Sequence, residues 1–248
     1  YHKLLGDNVV FYKGELKDFL IKNITKQCIN KFEKIDNTIN WKSKFFLIQE
    51  YIGKRNKSLV DDLKLSDSKY EILIINALNF YKDFYWKKGY LNDRYWDRIC
   101  ITTLFTFYWD ISIQTIQFCK NLIKNENEIW VGGVMASVIT DEIKKITGLK
   151  NIHSGLLNKS GILDNNDLII DELPLDYSIL DEIDYQYPEN NAYYGYTTRG
   201  CVRKCKFCAV PIIEPEFNKR VELTSKIKGV DDLYGAKRNL LLLDNNVL

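Results

Sequence analysis

The sequence predicts a mixed α/β protein: a doubly wound parallel sheet with a helical insertion, followed by the start of a second, smaller α/β segment. Three observations carry this. Between Val9 and Ile170 short apolar runs alternate with helical segments, the pattern of parallel strands joined by helices. Residues 171–190 then hold Asp171, Glu172, Asp176, Asp181, Glu182, Asp184 and Glu189 with no basic residue, together with Pro174 and Pro188, the first prolines in the chain. Such a composition shift reads as a connector. Beyond it, a strand-like run at Tyr193–Thr198, a helical stretch at Leu223–Tyr234 and a second apolar run at Leu240–Leu243 repeat the strand, helix, strand order. The expected organisation is a sheet domain at 1–170 with the insertion at about 38–97, a connector at 171–192 and a second domain at 193–248.

Strands are expected at Val9–Tyr12, Arg98–Thr103, Glu128–Val131, Asn151–Leu157 and Leu168–Ile170. A helix over Ser112–Lys124 would present Ile113, Ile116 and Ile123 on one face, as a helix lying on a sheet does. The next starts at Thr140 as N-cap, carries Asp141 and Glu142 in its first turn and stops at Gly148. Within the insertion, Phe80, Tyr81, Phe84, Tyr85, Trp86, Tyr90, Tyr95 and Trp96 interleave with Lys82, Lys87, Lys88 and Arg94. Aromatics between cations can stack single-stranded nucleic acid, but core packing is the commoner use and the preferred reading.

A chain of 248 residues with 46% hydrophobic content suits one large domain or two modest ones, and a net charge of +2 points to no particular partner. Uninterrupted apolar runs such as Ile72–Ile75, which Asn76 breaks, reach only four residues and are far too short to span a membrane. A cytoplasmic, reducing location is expected, with no membrane partner. The chain begins at Tyr1 rather than methionine and ends at Leu248 just after an apolar strand, so both termini are expected to be cut points in a longer protein.

The chemistry concentrates at Cys201, Cys205 and Cys208, spaced C-x3-C-x2-C directly after the Tyr193–Thr198 run. Electron-transfer clusters take four cysteines, so a loop that offers three leaves one iron open to a substrate. Zinc would need a fourth ligand, and neither His2 nor His153 is suitably spaced. A disulfide would need an oxidising compartment. Arg199, Arg203, Lys204 and Lys206 surround the thiols and favour thiolate over thiol. Cys28, Cys100 and Cys119 read instead as small buried hydrophobes without chemistry.

This loop, with Phe207 immediately before the last cysteine, resembles the signature of the radical S-adenosylmethionine (SAM) enzymes. The resemblance implies that Cys201, Cys205 and Cys208 hold a 4Fe-4S cluster, that the open iron chelates SAM, and that reductive cleavage yields a 5'-deoxyadenosyl radical. It further implies an electron donor such as ferredoxin or flavodoxin, and a partial (β/α) radical SAM barrel whose first strand, first helix and second strand are present. Phe207 would face the adenine, and Asp244 and Asn245 would meet the methionyl amino group where the family often has Gly-Gly-Glu. Upstream, Thr102, Leu104 and Thr106, with Gly132 and Gly133, are similar to two of the three signatures of cobalamin-binding domains, which makes the first domain Rossmann-like and cobalamin a candidate cofactor. The third signature, Asp-x-His-x-x-Gly, is missing. The expected function is therefore a radical SAM enzyme of unread substrate. A methylthiotransferase acting on RNA or protein and a non-catalytic iron–sulfur or redox-sensing module are the alternatives.

Overall fold

In a computed structural model, residues 1–54, 59–63, 69–183 and 185–245 are described; the expectations that fall on Asp184 and Leu248 lie outside them. The chain divides into two units. One comprises Gly14–Ile99 and Gln114–Ile129, the other Tyr1–Lys13, Cys100–Ile113 and Trp130–Leu248.

The first unit is helical. Helix α1 (Leu16–Ile35) buries Leu20, Ile24, Cys28, Ile29 and Phe32 at helical spacing. Helices α2 (Phe45–Lys54), α3 (Leu59–Asp62) and α4 (Glu71–Trp86) follow, and the buried Trp41, Ile48, Ile52, Leu63, Ile74 and Leu78 complete one core with α1. The chain leaves α1 through Asp36, whose side chain accepts from Thr38 N at 3.0 Å while its carbonyl accepts from Trp41 Nε1 at 2.6 Å. The helices thus begin at Leu16, ahead of the expected insertion. Tyr81, Phe84, Tyr85, Tyr90 and Trp96 pack against this core and Trp86 Nε1 donates to the Ile52 carbonyl at 2.8 Å, so most of the aromatic run does packing work.

The second unit contains two small sheets. β1 (Ile99–Thr103), β2 (Ile129–Gly133) and β3 (Asn151–Ile152) form the first, in that order, with β2 and β3 parallel. Helix α5 (Trp109–Cys119) joins β1 to β2, and α6 (Val134–Val138) and α7 (Thr140–Thr147) join β2 to β3. Sequence neighbours are sheet neighbours throughout, so the described strands wind in one direction and show no reversal of the kind a doubly wound sheet has. The architecture is mixed α/β with two small sheets among the described residues.

The strands expected at Val9–Tyr12 and Leu168–Ile170 do not form. At Val9–Tyr12 the Phe11 N–H donates to Glu182 Oε2 at 2.8 Å rather than to a ladder, and at Leu168–Ile170 the chain turns into a 3₁₀ helix, Ile170–Glu172. β3 stops at Ile152 because the following backbone is diverted to Ser137: Gly155 N donates to Ser137 Oγ at 3.0 Å and Ser154 Oγ to the Ser137 carbonyl at 3.2 Å. The helix expected over Ser112–Lys124 runs Trp109–Cys119, and Ile123 reaches the core through a bridge to Trp96. Thr140 is not an N-cap; Ile139 holds that place and Thr140 Oγ1 donates back to the Ala136 carbonyl at 2.5 Å. Gly148 does end α7, at φ 70.

The expected connector is bonded in place. Asp176 accepts from Lys3 Nζ at 2.8 Å and from the Tyr234 hydroxyl at 2.7 Å, and the buried Tyr177 donates to the Ala192 carbonyl at 2.7 Å. Burial works to raise the Asp176 pKa, but the bonds from Lys3, Ser178 and Tyr234 outweigh it and hold the carboxyl well below its ordinary range.

Strand β4 (Ala192–Gly195), helix α8 (Val210–Ile213), helix α9 (Thr224–Tyr234) and β5 (Asn239–Leu242) complete the chain. β4 and β5 are parallel, with Ala192 opposite Asn239 and Gly195 opposite Leu242. They form a two-stranded sheet, and no closed barrel occurs among the described residues. A continuous apolar run such as Leu240–Leu243 has the pattern of a buried parallel strand. Instead Leu240, Leu241 and Leu242 are 48%, 38% and 42% exposed, because an edge strand paired on one side leaves its apolar residues half covered.

Candidate metal centre

The cysteine loop leaves β4 at its C-terminal end, where parallel-strand proteins place their chemistry. Two anchors fix its start. Asp244, just beyond β5, accepts from Thr197 N at 3.0 Å, Thr198 N at 2.5 Å and the Thr197 and Thr198 hydroxyls at 2.8 and 2.6 Å. Partial burial would raise the Asp244 pKa, but these four donors prevail and hold it at about 2. Glu214, at the C-terminal end of α8, accepts from Gly200 N at 2.5 Å, pairs through Oε1 with Arg199 Nη2 at 3.1 Å, and accepts from Asn245 Nδ2 at 3.0 Å. Arg199 lies 4.2 Å above the Tyr196 ring and 3.8 Å from Asp171. Backbone bonds between Arg199 and Asn218, at 3.0 and 2.9 Å, bind the loop to the segment that follows α8.

Between these anchors Gly200 has φ 73, and a Cβ there would overlap the Glu216 carbonyl and lie 3.1 Å from the Glu214 carbonyl. Both backbone angle and space therefore demand glycine.

The three cysteines form no disulfide and are half-buried. Arg203 N–H lies 3.4 Å from Cys201 Sγ, and Cys208 N donates to the Cys205 carbonyl at 3.1 Å, making a tight turn. Among the described residues no three His, Cys, Asp or Glu side chains are grouped closely enough to hold a metal ion, so the thiols share a loop without meeting at one point. In kind, the donor set fits an iron–sulfur cluster: three thiols, cations nearby and a backbone amide already turned toward sulfur. Phe207 is 94% exposed. Asp244 and Asn245, expected beside an amino group, are engaged with Thr197, Thr198 and Glu214, which gives them work in positioning the loop.

Sequence reasoning missed Glu214 and Gly200. The signal for Glu214 was present: it is the only acid between Arg199 and Pro215, following four cations.

The loops after β1 and β2 do come together. Thr103 Oγ1 donates to the Gly132 carbonyl at 2.8 Å and accepts from Ala136 N at 3.0 Å, making the buried Thr103 the link that sequence reasoning overlooked. Gly133, at φ 97, has no space for a ligand on its α-carbon: a Cβ would overlap the Thr103 carbonyl and lie 3.1 Å from Thr102 Oγ1. Gly132 faces open space, Leu104 is 57% exposed, and Thr106 lines a shallow groove of about 460 Å³ with Trp109, Ile139, Glu142, Lys145 and Ile146. Gly133 is thus explained by close strand approach, and Gly133→Ala should unfold the sheet unit a few degrees earlier, through about 2 kcal/mol of strain, whether or not any ligand is present. Thermal unfolding checks this; an unchanged midpoint would refute it.

A larger hollow of about 670 Å³ is lined by Tyr177, Tyr185, Tyr187, Asn190, Tyr234 and Lys237 among others. It opens at the N-terminal ends of β4 and β5, opposite the cysteines, the end associated with stability rather than chemistry.

No protein-family model, curated protein or solved structure matches the chain. No helix among the described residues is long and apolar enough to cross a membrane.

The carboxylate at Asp244 makes a pH prediction. Its pKa is depressed by folding, so its contribution is present above the unfolded value near ~3.9 and is lost as the pH falls toward about 2. Amide-exchange protection at Thr197 and Thr198 should persist at neutral pH and fade across that acid window, while Asp244→Ala removes it at every pH. Protection that survives in the variant would show that other contacts hold the loop.

Proposed function

We propose that this chain belongs to a radical SAM enzyme in which Cys201, Cys205 and Cys208 hold a 4Fe-4S cluster. The observation that carries the reading is a loop of three free cysteines held at the C-terminal end of a parallel strand by Gly200, Glu214 and Asp244. When bound, the cluster would supply one electron to SAM, and the cleavage would release methionine and a 5'-deoxyadenosyl radical. The chain's own residues do the rest. The three thiolates ligate, Arg199 and Glu214 orient the loop, Asp244 pins its first residues, and the exposed Phe207 offers a ring to the adenine. An electron donor of the ferredoxin or flavodoxin type is implied.

The proposal stops short of cobalamin, because the Gly133 position is filled by Thr102 and Thr103. Nor does it extend to a second cluster of the methylthiotransferase kind. Cys28 and Cys119 are buried, and desolvation raises both thiols, Cys119 to about 12.

Quantifying 5'-deoxyadenosine after incubating reduced, anaerobically reconstituted chain with SAM tests the function. Slow uncoupled cleavage is expected, since two strands do not wall off a reacting centre from water. Cleavage equally fast in a triple Cys201, Cys205, Cys208 alanine variant would refute the reading.

A further inference from the structure

Strand β1 was expected to bury Cys100 between Ile99 and Ile101. It alternates instead: Ile99, Ile101 and Thr103 face one way, and Cys100 and Thr102 are exposed on the other side. That face is met by the N-terminal turn His2–Leu5, which Gly6 closes in the left-handed region. The turn sets His2 Nε2 4.0 Å from Cys100 Sγ and His2 Nδ1 2.9 Å from Asp7 Oδ2. The Tyr1 ring packs edge-on against the imidazole at 5.0 Å, and Tyr1 is itself tethered through its hydroxyl to Asp164 at 2.8 Å.

The two imidazole nitrogens point to different partners, so the three side chains do not converge on one point as metal ligands would. Their order is that of nucleophile, base and orienting acid. With Asp7 accepting from Nδ1–H, Nε2 is the basic nitrogen facing the thiol. Proton transfer to it leaves a thiolate beside an imidazolium, the arrangement that makes a cysteine reactive. The site is open to solvent: the His2 and Asp7 side chains are 23% and 54% exposed.

We propose that Cys100 is a thiol–disulfide exchange site for small disulfides of the glutathione type, with His2 as its base and Asp7 as the residue that orients His2. Exchange needs a thiolate and a base but no oxyanion site, which suits an exposed strand position. The Cys100 thiolate attacks one sulfur of the disulfide and a new S–S bond forms. The original S–S bond breaks, and the other half leaves as a thiolate that takes the proton held on His2. Cys100 is oxidised and the departing half reduced. The adduct would stand on β1 beside Thr102, so it would mark the sheet unit. This site is independent of any cluster at Cys201.

The full chain, treated with oxidised glutathione at neutral pH and mapped by peptide mass spectrometry, should acquire its first adduct at Cys100 among its six cysteines. His2→Ala should slow that adduct roughly tenfold. Asp7→Asn should slow it less, and Asp7→Glu should restore it. Thiolate ultraviolet absorbance, taken as the difference between the chain and Cys100→Ser, should be present at neutral pH and lost in His2→Ala. A Cys100 rate unchanged by His2→Ala, or slower than that of the loop cysteines, would overturn the proposal. So would absence of the thiolate band in the unmutated chain, a readout independent of how any variant folds.

Discussion

Gly200→Ala is expected to abolish cluster loading while the helical unit stays folded. At φ 73 an alanine is strained by the backbone alone, and its Cβ would also overlap the Glu216 carbonyl with the Glu214 carbonyl at 3.1 Å. Two rigid backbone groups cannot both retreat, because Glu214 N is bonded to the Val210 carbonyl at 2.7 Å and Asn218 is bonded to Arg199. The cost should be about 2–4 kcal/mol, concentrated where Cys201 begins its approach. Iron and sulfide content after anaerobic reconstitution reads the first effect, and the helical circular dichroism signal the second. Full loading in the variant would show that the loop tolerates another path.

Glu214→Ala should be nearly as damaging. Its carboxylate is the common acceptor of Gly200 N–H, Arg199 and Asn245, and its side chain is only 10% exposed. Removing it leaves the Arg199 guanidinium, 15% exposed, with Asp171 at 3.8 Å as its remaining carboxylate contact, and leaves Gly200 N–H without that acceptor. Breaking one side of such a pair costs about 2–3 kcal/mol after allowance for partial solvation. Glu214→Gln keeps an oxygen for Gly200 but loses the charge, so it should load cluster at an intermediate level. Loading equal to the unmutated chain in both variants would remove Glu214 from the account.

What the sequence made legible was local. The cysteine spacing, Gly148 as a helix stop, the helix at Thr224–Tyr234 and the runs that became β4 and β5 are each decided within a few residues by propensity and periodicity. Longer-range matters were not. The strand propensity of Val9–Tyr12 lost to a side-chain acceptor at Glu182, which lies far away in sequence. Cys100 looked buried because its neighbours are isoleucines, but alternation in a strand turns adjacent residues to opposite faces. Leu240–Leu242 looked like a buried strand because burial depends on what covers the second edge and both faces, which a run of leucines does not specify. At the candidate centre the cysteine spacing was readable and the supports of the loop were not: Asp244 and Asn245 were singled out for a ligand, and the structure bonds them to Thr198 and Glu214 as well.

The most direct measurement is metal and sulfide content of the anaerobically reconstituted chain, followed by electron paramagnetic resonance of the reduced sample with and without SAM. The account predicts about four iron and four sulfide per chain, lost when Cys201, Cys205 or Cys208 is replaced by alanine and kept when Cys119 is, with a spectrum that changes when SAM is added. One zinc per chain without sulfide would contradict it, as would a cluster that survives loss of all three cysteines.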